Sequence, residues 1–277
     1  MIVILSILVI ILASAAFITE ISQYAAGNEF YSELNHAGES TREKLAAVDV
    51  DLRKSTHSSA VSIEDEPAIE LEQAAAVGMD QEPASEANQE TINKPKRKTV
   101  SGAGNAVAWI YSENTVIDYP VMQCNDNKYY LTHLPDGRKN NCGAIFMDKD
   151  NASDFTDDNT VLYGHHMRSG RMFASLMGYK EQSYYEGHKR LMLYLTEETY
   201  LLEVFAGYIL NPSMDKIPLN FVDSDSFLRY INEGKSNSTF KSDVEVAETD
   251  RIVSLYTCSY EFSDAKYIVQ CKLTKMN

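Results

Sequence analysis

The chain has 277 residues, with 40 acidic and 25 basic side chains and a formal net charge of -15. This balance argues against the basic surface with which nucleic-acid-binding proteins neutralise phosphates, so no nucleic-acid partner is expected. The charge is unevenly distributed: residues 20–93 hold 16 acidic and four basic side chains, so 12 of the 15 excess negative charges lie there.

Residues 1–19 read MIVILSILVIILASAAFIT and carry no charged side chain. As a helix rising about 1.5 Å per residue, this segment would cross the hydrocarbon layer of a bilayer, so we predict a single-pass transmembrane anchor in contact with membrane lipid. A cleaved signal peptide is the alternative, because Ala13-Ser14-Ala15 is similar to a small-residue cleavage site, although the usual basic residues before the apolar core are missing.

Residues 20–104 are predicted to form an acidic juxtamembrane spacer that is partly helical and then disordered. Apolar residues between positions 28 and 54 fit one or two short amphipathic helices, lying either beside the membrane or on the folded domain. Residues 55–93 contain no Lys, Arg, Phe, Trp or Tyr and carry nine acidic side chains, so they bury too little apolar surface to offset the entropy of the chain.

Residues 105–277 form the predicted folded domain, which is long enough to bury one core. Eight runs rich in β-branched and aromatic residues predict a mainly β fold, either a barrel or a sandwich. Two peripheral helical stretches are predicted at Met172–Met177 and, after a cluster of potential N-cap residues, at Ser226–Asn232. The predicted strands are Ala106–Tyr111, Val116–Met122, Gly143–Met147, Thr160–Tyr163, Arg190–Leu195, Tyr200–Leu210, Arg251–Thr257 and Lys266–Leu273.

Four cysteines are too few for a disulfide-rich scaffold, and no CxxC pair indicates a zinc ribbon. Cys124 and Cys142 bracket 17 residues and would close a disulfide loop in an oxidising exterior, while two unpaired, partly buried thiols are the alternative. Cys271 fits a small core residue. Neither metal-ligand spacing nor a phosphate-binding loop is found, so no metal and no cofactor is predicted.

Cys258 follows the strand-like run Ile252–Thr257 and precedes a polar loop, an arrangement that would present its thiol at the rim of a cleft. Thiolate chemistry needs a nearby proton acceptor and a cation. His165 and His166 end another apolar strand-like run, which makes them the candidate acceptors among the six histidines.

Several segments, in the same order along the chain, resemble class B sortases. The run NTVLYGHHMRSGRMFASL, Asn159 to Leu176, is similar to the class B histidine motif, and SLYTC, ending at Cys258, is similar to the sortase TLxTC motif with Ser in first place. IDYPVMQCNDNKYYLTH and GAIFMD resemble further segments of the same fold. The resemblance runs from about Asn105 to Leu273 and implies an eight-stranded sortase-type β-barrel with peripheral helices.

The resemblance implies that Cys258 is the nucleophile and His165 its acid/base partner, with His166 a neighbour. Lys266 falls where the family has an arginine; it keeps the positive charge but lacks the planar fork of donors. Either Lys266 substitutes adequately, or another arginine reaches the site, or the enzyme is feeble or inactive. The candidate arginines are Arg168, Arg171 and Arg251.

By family position, Asn125 and Tyr129 are candidate contacts of a bound peptide, and Tyr256 and Thr257 flank the nucleophile. Core packing explains the aromatic residues equally well.

The function implied is that of a cysteine transpeptidase, of the cysteine endopeptidase class, anchored in the membrane of a Gram-positive cell with its catalytic domain outside. It would cleave an NPxTx-like C-terminal sorting signal of secreted surface proteins after Thr, through a thioacyl-enzyme. An amine of a lipid II-type peptidoglycan precursor would then take the acyl group. The alternatives are a pilin-polymerising sortase, in which a lysine side chain is the acceptor, and a degenerate sortase that only binds sorting signals.

Overall fold

The computed structural model of the protein describes residues 12–14, 18–19, 21–35, 106–211 and 216–276. Most of the predicted anchor and the predicted disordered spacer lie outside these residues, and both stay predictions. No helix within the described ranges is both long and apolar enough to cross a membrane.

Eight strands close into a barrel in the order β1-β2-β3-β4-β7-β8-β6-β5, which confirms the predicted barrel. Neighbouring strands are antiparallel except in the β2–β3 and β4–β7 pairs, which are parallel. All eight predicted strands are present, with each end within two residues of its predicted position. The strands are β1 Ala106–Tyr111, β2 Asp118–Met122, β3 Ile145–Met147, β4 Asn159–Tyr163, β5 Arg190–Tyr194, β6 Thr199–Leu210, β7 Arg251–Cys258 and β8 Lys266–Lys275.

Helices lie around the barrel. In chain order they are α1, of which residues 21–35 are described, the 3-10 helices Tyr129–Leu131 and Phe173–Lys180, α2 Gln182–Gly187 and α3 Ser224–Asn237. Asp223 caps α3, because its side chain accepts a hydrogen bond from the Ser226 amide at 2.8 Å. The helix predicted from Met172 begins one residue later, since Met172 has a φ of 58° that no right-handed helix contains.

Side chains of β7 alternate between the interior of the barrel and its outer surface, as strand geometry requires. Val253 and Leu255 belong to the main core, and Thr257, on the same side of the strand, is 1% exposed. Tyr256 and Cys258 lie on the outer side and are partly exposed. Cys258 therefore lies on the outer wall of a filled barrel, not in its interior.

Helix α1 packs against the barrel, which is one of the two placements that the sequence left open for residues 28–35. Tyr31 and Leu34 are buried in the main core cluster, at 1% and 8% exposure. The Tyr31 ring packs edge-on against Tyr119, with 5.1 Å between ring centroids. The folded unit thus includes helical residues well before position 105.

Candidate active site

Cys258 and Lys266 are brought together by the pairing of β7 with β8. Cys258 is the last residue of β7, Lys266 is the first of β8, and the two are direct partners in the antiparallel register. Paired residues project to the same face of a sheet with their Cβ atoms about 5 Å apart. The Lys266 Nζ accordingly lies 3.5 Å from the Cys258 Sγ, within hydrogen-bonding reach of sulfur.

The charge on Lys266 has two chemical uses at this distance. An ammonium group beside the sulfur stabilises the thiolate, which is the nucleophilic form of cysteine. The same charge can also stabilise the negative charge that develops on a carbonyl oxygen during attack by that sulfur. Both side chains are half-buried, so solvent screens the interaction less than it would on an open surface.

Another strand pair brings His165 to the same region. The parallel β4–β7 register pairs Tyr163 with Tyr256, and the Gly164 amide continues it by donating to the Tyr256 carbonyl at 3.0 Å. Continued by one further residue, this register leads His165 toward Cys258. Local sequence therefore supplies the histidine and the cysteine, and the β4–β7 register brings them near each other.

Within the described structure, the His165 ring is hydrogen-bonded to the Leu131 carbonyl, with 2.7 Å between Nε2 and the oxygen. A carbonyl only accepts hydrogen bonds, so Nε2 carries a proton and Nδ1 is the nitrogen left to accept one in the neutral ring. The contact with Leu131 thus selects the tautomer and fixes the ring plane.

His166 also lies beside Cys258, where it contacts the backbone of Cys258 and not the sulfur. Its Nδ1 is 3.1 Å from the Cys258 carbonyl oxygen, and its ring lies 5.1 Å from that of Tyr260. The carbonyl again requires a protonated nitrogen, so Nδ1 is the donor. His166 therefore ties the end of β4 to the end of β7.

Of the residues predicted to contact a peptide, Tyr256 lies on the outer face beside the nucleophile, whereas the Thr257 side chain lies in the barrel interior. Burial, with a smaller contribution from Cys258, raises the pKa of Tyr256 to about 12, so this phenol is neutral at physiological pH. Tyr129 is 39% exposed and stacks on His133 with ring centroids 4.0 Å apart. Asn125 is exposed on the same loop.

A row of aromatic rings, which we did not predict from the sequence, continues the site across the outer face. Tyr256 packs edge-on against Tyr163 at 5.2 Å, and Tyr163 packs against Phe146 at the same centroid distance. The Tyr163 hydroxyl donates to the Asp148 carboxylate at 2.7 Å. Aligning the predicted strands in the β4–β7 register would have found Tyr163, because it faces Tyr256.

The loop after Cys258 is held by contacts that the sequence did not indicate. The Ser259 amide donates to the Ala265 carbonyl at 2.8 Å and closes the loop. The Glu261 carboxylate accepts a hydrogen bond from the Ser259 hydroxyl and forms an ion pair with Lys180, at the end of a 3-10 helix. Cys258 therefore precedes a tethered loop.

None of the candidate arginines replaces Lys266 at the sulfur. Arg251 begins β7, seven residues before Cys258, and its guanidinium donates to the Phe155 carbonyl at 2.8 Å. The charge of Arg171 is felt by Tyr119: burial raises the pKa of Tyr119, and the nearby guanidinium of Arg171 partly opposes that rise. Arg168 is exposed.

All four cysteines are free thiols, which selects the unpaired alternative for Cys124 and Cys142. Burial raises the pKa of Cys142 and of the fully buried Cys271, so both are poor nucleophiles. Across the residues that the structure describes, no group of three or more His, Cys, Asp or Glu side chains is arranged to hold a metal ion.

Comparison with known proteins points to one family. A family model described as Sortase domain matches residues 110–274. Sortase B of Listeria monocytogenes is 35% identical over 169 residues, covering 60% of this chain and 69% of that protein. A Staphylococcus aureus sortase B–substrate complex superposes with a TM-score of 0.61 at 32% identity, covering 64% of this chain and 83% of that one. A sortase B complexed with triglycine gives 0.59 at 33% identity, covering 62% and 82%.

Proposed function

The chain belongs to the sortase family, in class B, whose members are cysteine transpeptidases, and from this premise we propose that Cys258, His165 and Lys266 carry the reaction. The observation that supports this assignment most strongly is the 3.5 Å distance between the Lys266 Nζ and the Cys258 Sγ. The position of His165 at the end of the strand beside β7 supports it further.

In the first half-reaction, Nδ1 of His165 takes the proton of the Cys258 thiol, and the thiolate attacks the carbonyl carbon of Thr in a sorting signal. The carbon–nitrogen bond breaks, and the leaving amine takes a proton from His165. Lys266 stabilises the negative charge that develops on the carbonyl oxygen. The products are a thioacyl-enzyme and a free C-terminal fragment.

In the second half-reaction, a primary amine attacks the thioester carbon and gives up a proton to His165, and the thiolate of Cys258 leaves. Because an amine replaces the amine that was lost, a peptide bond is exchanged and no energy source is needed. The solved sortase B complexes with a substrate and with triglycine make a sorting peptide and a glycine-type amine the first molecules to test. The acceptor in the cell is an amine of a lipid II-type peptidoglycan precursor.

The sorting peptide lies along the outer face of the barrel. Tyr256 and Tyr163 provide apolar surface beside the nucleophile, and Tyr129 and Asn125 line the loop on the other side of His165. An NPxTx-like signal fits this surface, because its proline would stack on an aromatic ring and its polar side chains would meet the exposed amide of Asn125.

The enzyme acts at the outer face of the cell membrane, held by residues 1–19 as a single-pass anchor. The charge-free composition of that segment supports this location. Protease added outside intact cells should remove the barrel domain; a barrel that stays protected in intact cells and is cleaved only after lysis would contradict it.

The test of function is peptide cleavage by the full chain in detergent micelles, with an NPxTx-type peptide. Release of the C-terminal fragment should be lost in Cys258→Ala and should fall by at least about 10²-fold in His165→Ala. Triglycine added in excess should appear ligated to the N-terminal fragment, whereas a peptide with only a lysine side-chain amine should not. Ligation of the lysine peptide alone would favour the pilin-polymerising alternative.

A second candidate function rests on Lys266, which lacks the fork of the family arginine. In this alternative the protein binds sorting signals without turning them over. Saturable peptide binding without fragment release by the wild-type chain, with release restored in Lys266→Arg, would establish the alternative.

A further inference from the structure

Helix α1 docks on a turn of the barrel through hydrogen bonds that involve backbone carbonyls. The Tyr31 hydroxyl donates to the Gly143 carbonyl at 2.6 Å, and the Asn140 side-chain amide donates to the Gln23 carbonyl at 2.7 Å. Burial raises the pKa of Tyr31, so its hydroxyl remains protonated and able to donate. Residues 140–144 form the docking turn for α1.

The docking turn is also hydrogen-bonded to the segment that carries the Leu131 carbonyl. The Ala144 amide donates to the Tyr130 carbonyl at 2.9 Å, and the Asn140 amide donates to the Thr132 carbonyl at 2.8 Å. These two bonds flank Leu131 on both sides. The contact is close, because a Cβ added at Gly143 would lie 2.9 Å from the Leu131 carbonyl oxygen.

That oxygen is the one that accepts the hydrogen bond from His165 Nε2 at 2.7 Å. A continuous chain of contacts therefore runs from α1 through the docking turn to His165. A second series of contacts also runs from Tyr31 to His165. The Tyr31 ring packs on Tyr119, and the Tyr119 hydroxyl accepts a hydrogen bond from the Met172 amide. The amide of the next residue, Phe173, donates to the His165 carbonyl.

We propose that Tyr31 is a positioning residue for the acid/base histidine: by holding the docking turn, it fixes the Leu131 carbonyl that sets the tautomer and orientation of His165. The inference rests on the proposed role of His165 and deepens it. Proton transfer depends steeply on geometry, so a small displacement of the ring lowers turnover and leaves peptide binding intact. The helix that leads from the predicted anchor is in this way part of the catalytic apparatus.

The test compares Tyr31→Phe with Tyr179→Phe in the full chain in detergent micelles. Both tyrosines are buried, at 1% and 2% exposure. Both donate to a backbone carbonyl at 2.6 Å, Tyr31 to Gly143 and Tyr179 to His188 at the end of α2. The two substitutions therefore remove the same group and the same kind of bond, and only one of them lies on the path to His165.

Tyr31→Phe should lower kcat roughly tenfold with KM for the sorting peptide within about twofold, whereas Tyr179→Phe should leave both near wild type despite a comparable loss of thermal stability. Nitrogen-15 NMR of the six histidines should show a protonated Nε2 for His165 in wild type and a displaced signal in Tyr31→Phe only. Asn140→Asp, which removes the donor to Gln23 and keeps the acceptor for the Cys142 amide, should repeat the kcat effect.

Equal kcat values in Tyr31→Phe and Tyr179→Phe, or an unchanged His165 signal in Tyr31→Phe, would overturn the positioning role. If Tyr31→Phe does not fold, Asn140→Asp decides by the same two readouts. Failure of the proposed function looks different, because the wild-type chain would then release no fragment, while the histidine spectra would still report whether α1 controls the His165 ring.

Discussion

A lysine beside the nucleophile is the residue-scale feature that most affects the reaction. Lys266 provides a compact charge with three rotatable donors, whereas arginine provides a rigid planar fork. The direct pairing of Lys266 with Cys258 fixes the position of the lysine Cβ, and the long side chain places the ammonium beside the sulfur. The backbone pairing does not fix the direction in which the ammonium donates its hydrogen bonds.

Substitution at position 266 separates charge from hydrogen-bond geometry. Lys266→Met keeps most of the length of the side chain and removes the charge, so kcat/KM for peptide cleavage should fall about 10²–10³-fold. Lys266→Arg should exceed wild type, because the planar fork of arginine directs two hydrogen bonds together. Steady-state kinetics on one peptide measures both variants. A Lys266→Arg variant that is no faster than wild type would contradict the view that lysine is the poorer donor here.

The sequence was sufficient to nominate Cys258, His165 and Lys266, because each lies in or beside a short local motif. It did not reveal the Leu131 carbonyl, since a backbone atom of a loop 34 residues away has no signature of its own. The sequence also did not reveal the ion pair of Lys180 with Glu261, because the two side chains are far apart along the chain. Such partners depend on how loops pack, which local patterns do not determine.

At the scale of elements, the register of three strands assembles the site. The parallel β4–β7 pair brings in the histidine, and the antiparallel β7–β8 pair brings in the lysine. The eight strands were predictable because each combines β-branched and aromatic residues with clear turn signals. Their order in the barrel was not predictable from those patterns, and the family resemblance implied only that eight strands form a barrel.

The docking turn should tolerate no side chain at Gly143. Its φ is 59°, and a Cβ there would lie 2.4 Å from the Tyr130 backbone oxygen. Gly143→Ala should therefore lower the free energy of unfolding by roughly 2–5 kcal/mol, from left-handed backbone and overpacking together. Denaturant unfolding measures this loss.

Gly170→Ala is the matched control. Its φ is 79°, and an added Cβ would meet no atom of the described structure within 4 Å. Only the backbone cost of about 1–2 kcal/mol should appear. Equal losses in the two variants would mean that the close approach at Gly143 has no energetic consequence.

The ion pair between Lys180 and Glu261 should reduce the mobility of the loop after Cys258 and contribute little to the global free energy of unfolding. Both side chains are partly exposed, and such pairs contribute about 1 kcal/mol or less. Lys180→Met should therefore speed amide hydrogen exchange in residues 259–265 with little change in unfolding free energy. Lys189→Met, which breaks the ion pair with Glu186, is the control and should leave exchange in that loop unchanged.

At the scale of the whole molecule, the net charge of -15 is carried mostly by one segment of the chain. Twelve excess negative charges lie in residues 20–93, between the predicted anchor and the domain of residues 105–277, which has 24 acidic and 17 basic side chains. Like charges extend a chain, and an anionic membrane surface repels it. We expect residues 55–93 to act as a spacer, and α1 to keep its docked position on the barrel.

Deleting residues 55–93 should therefore separate two activities. Attachment of surface protein to the wall should fall in cells, because the barrel no longer reaches its acceptor. Peptide cleavage by the purified chain in micelles should be unchanged. A control that replaces the segment with an uncharged Gly/Ser chain of equal length tests charge against length. A parallel loss of both activities would mean that the segment belongs to the folded enzyme.

The proposed reaction requires Cys258 to form a thioester with the sorting peptide. The direct measurement is the intact mass of the full chain after brief incubation with an NPxTx-type peptide and acid quenching, with fragmentation to locate the added mass. We expect the mass to increase by that of the N-terminal fragment through Thr, attached at Cys258, and we expect this increase to be absent in Cys258→Ala and retained in Cys124→Ala. An adduct on any other residue, or fragment release that continues in Cys258→Ala, would contradict the proposed reaction.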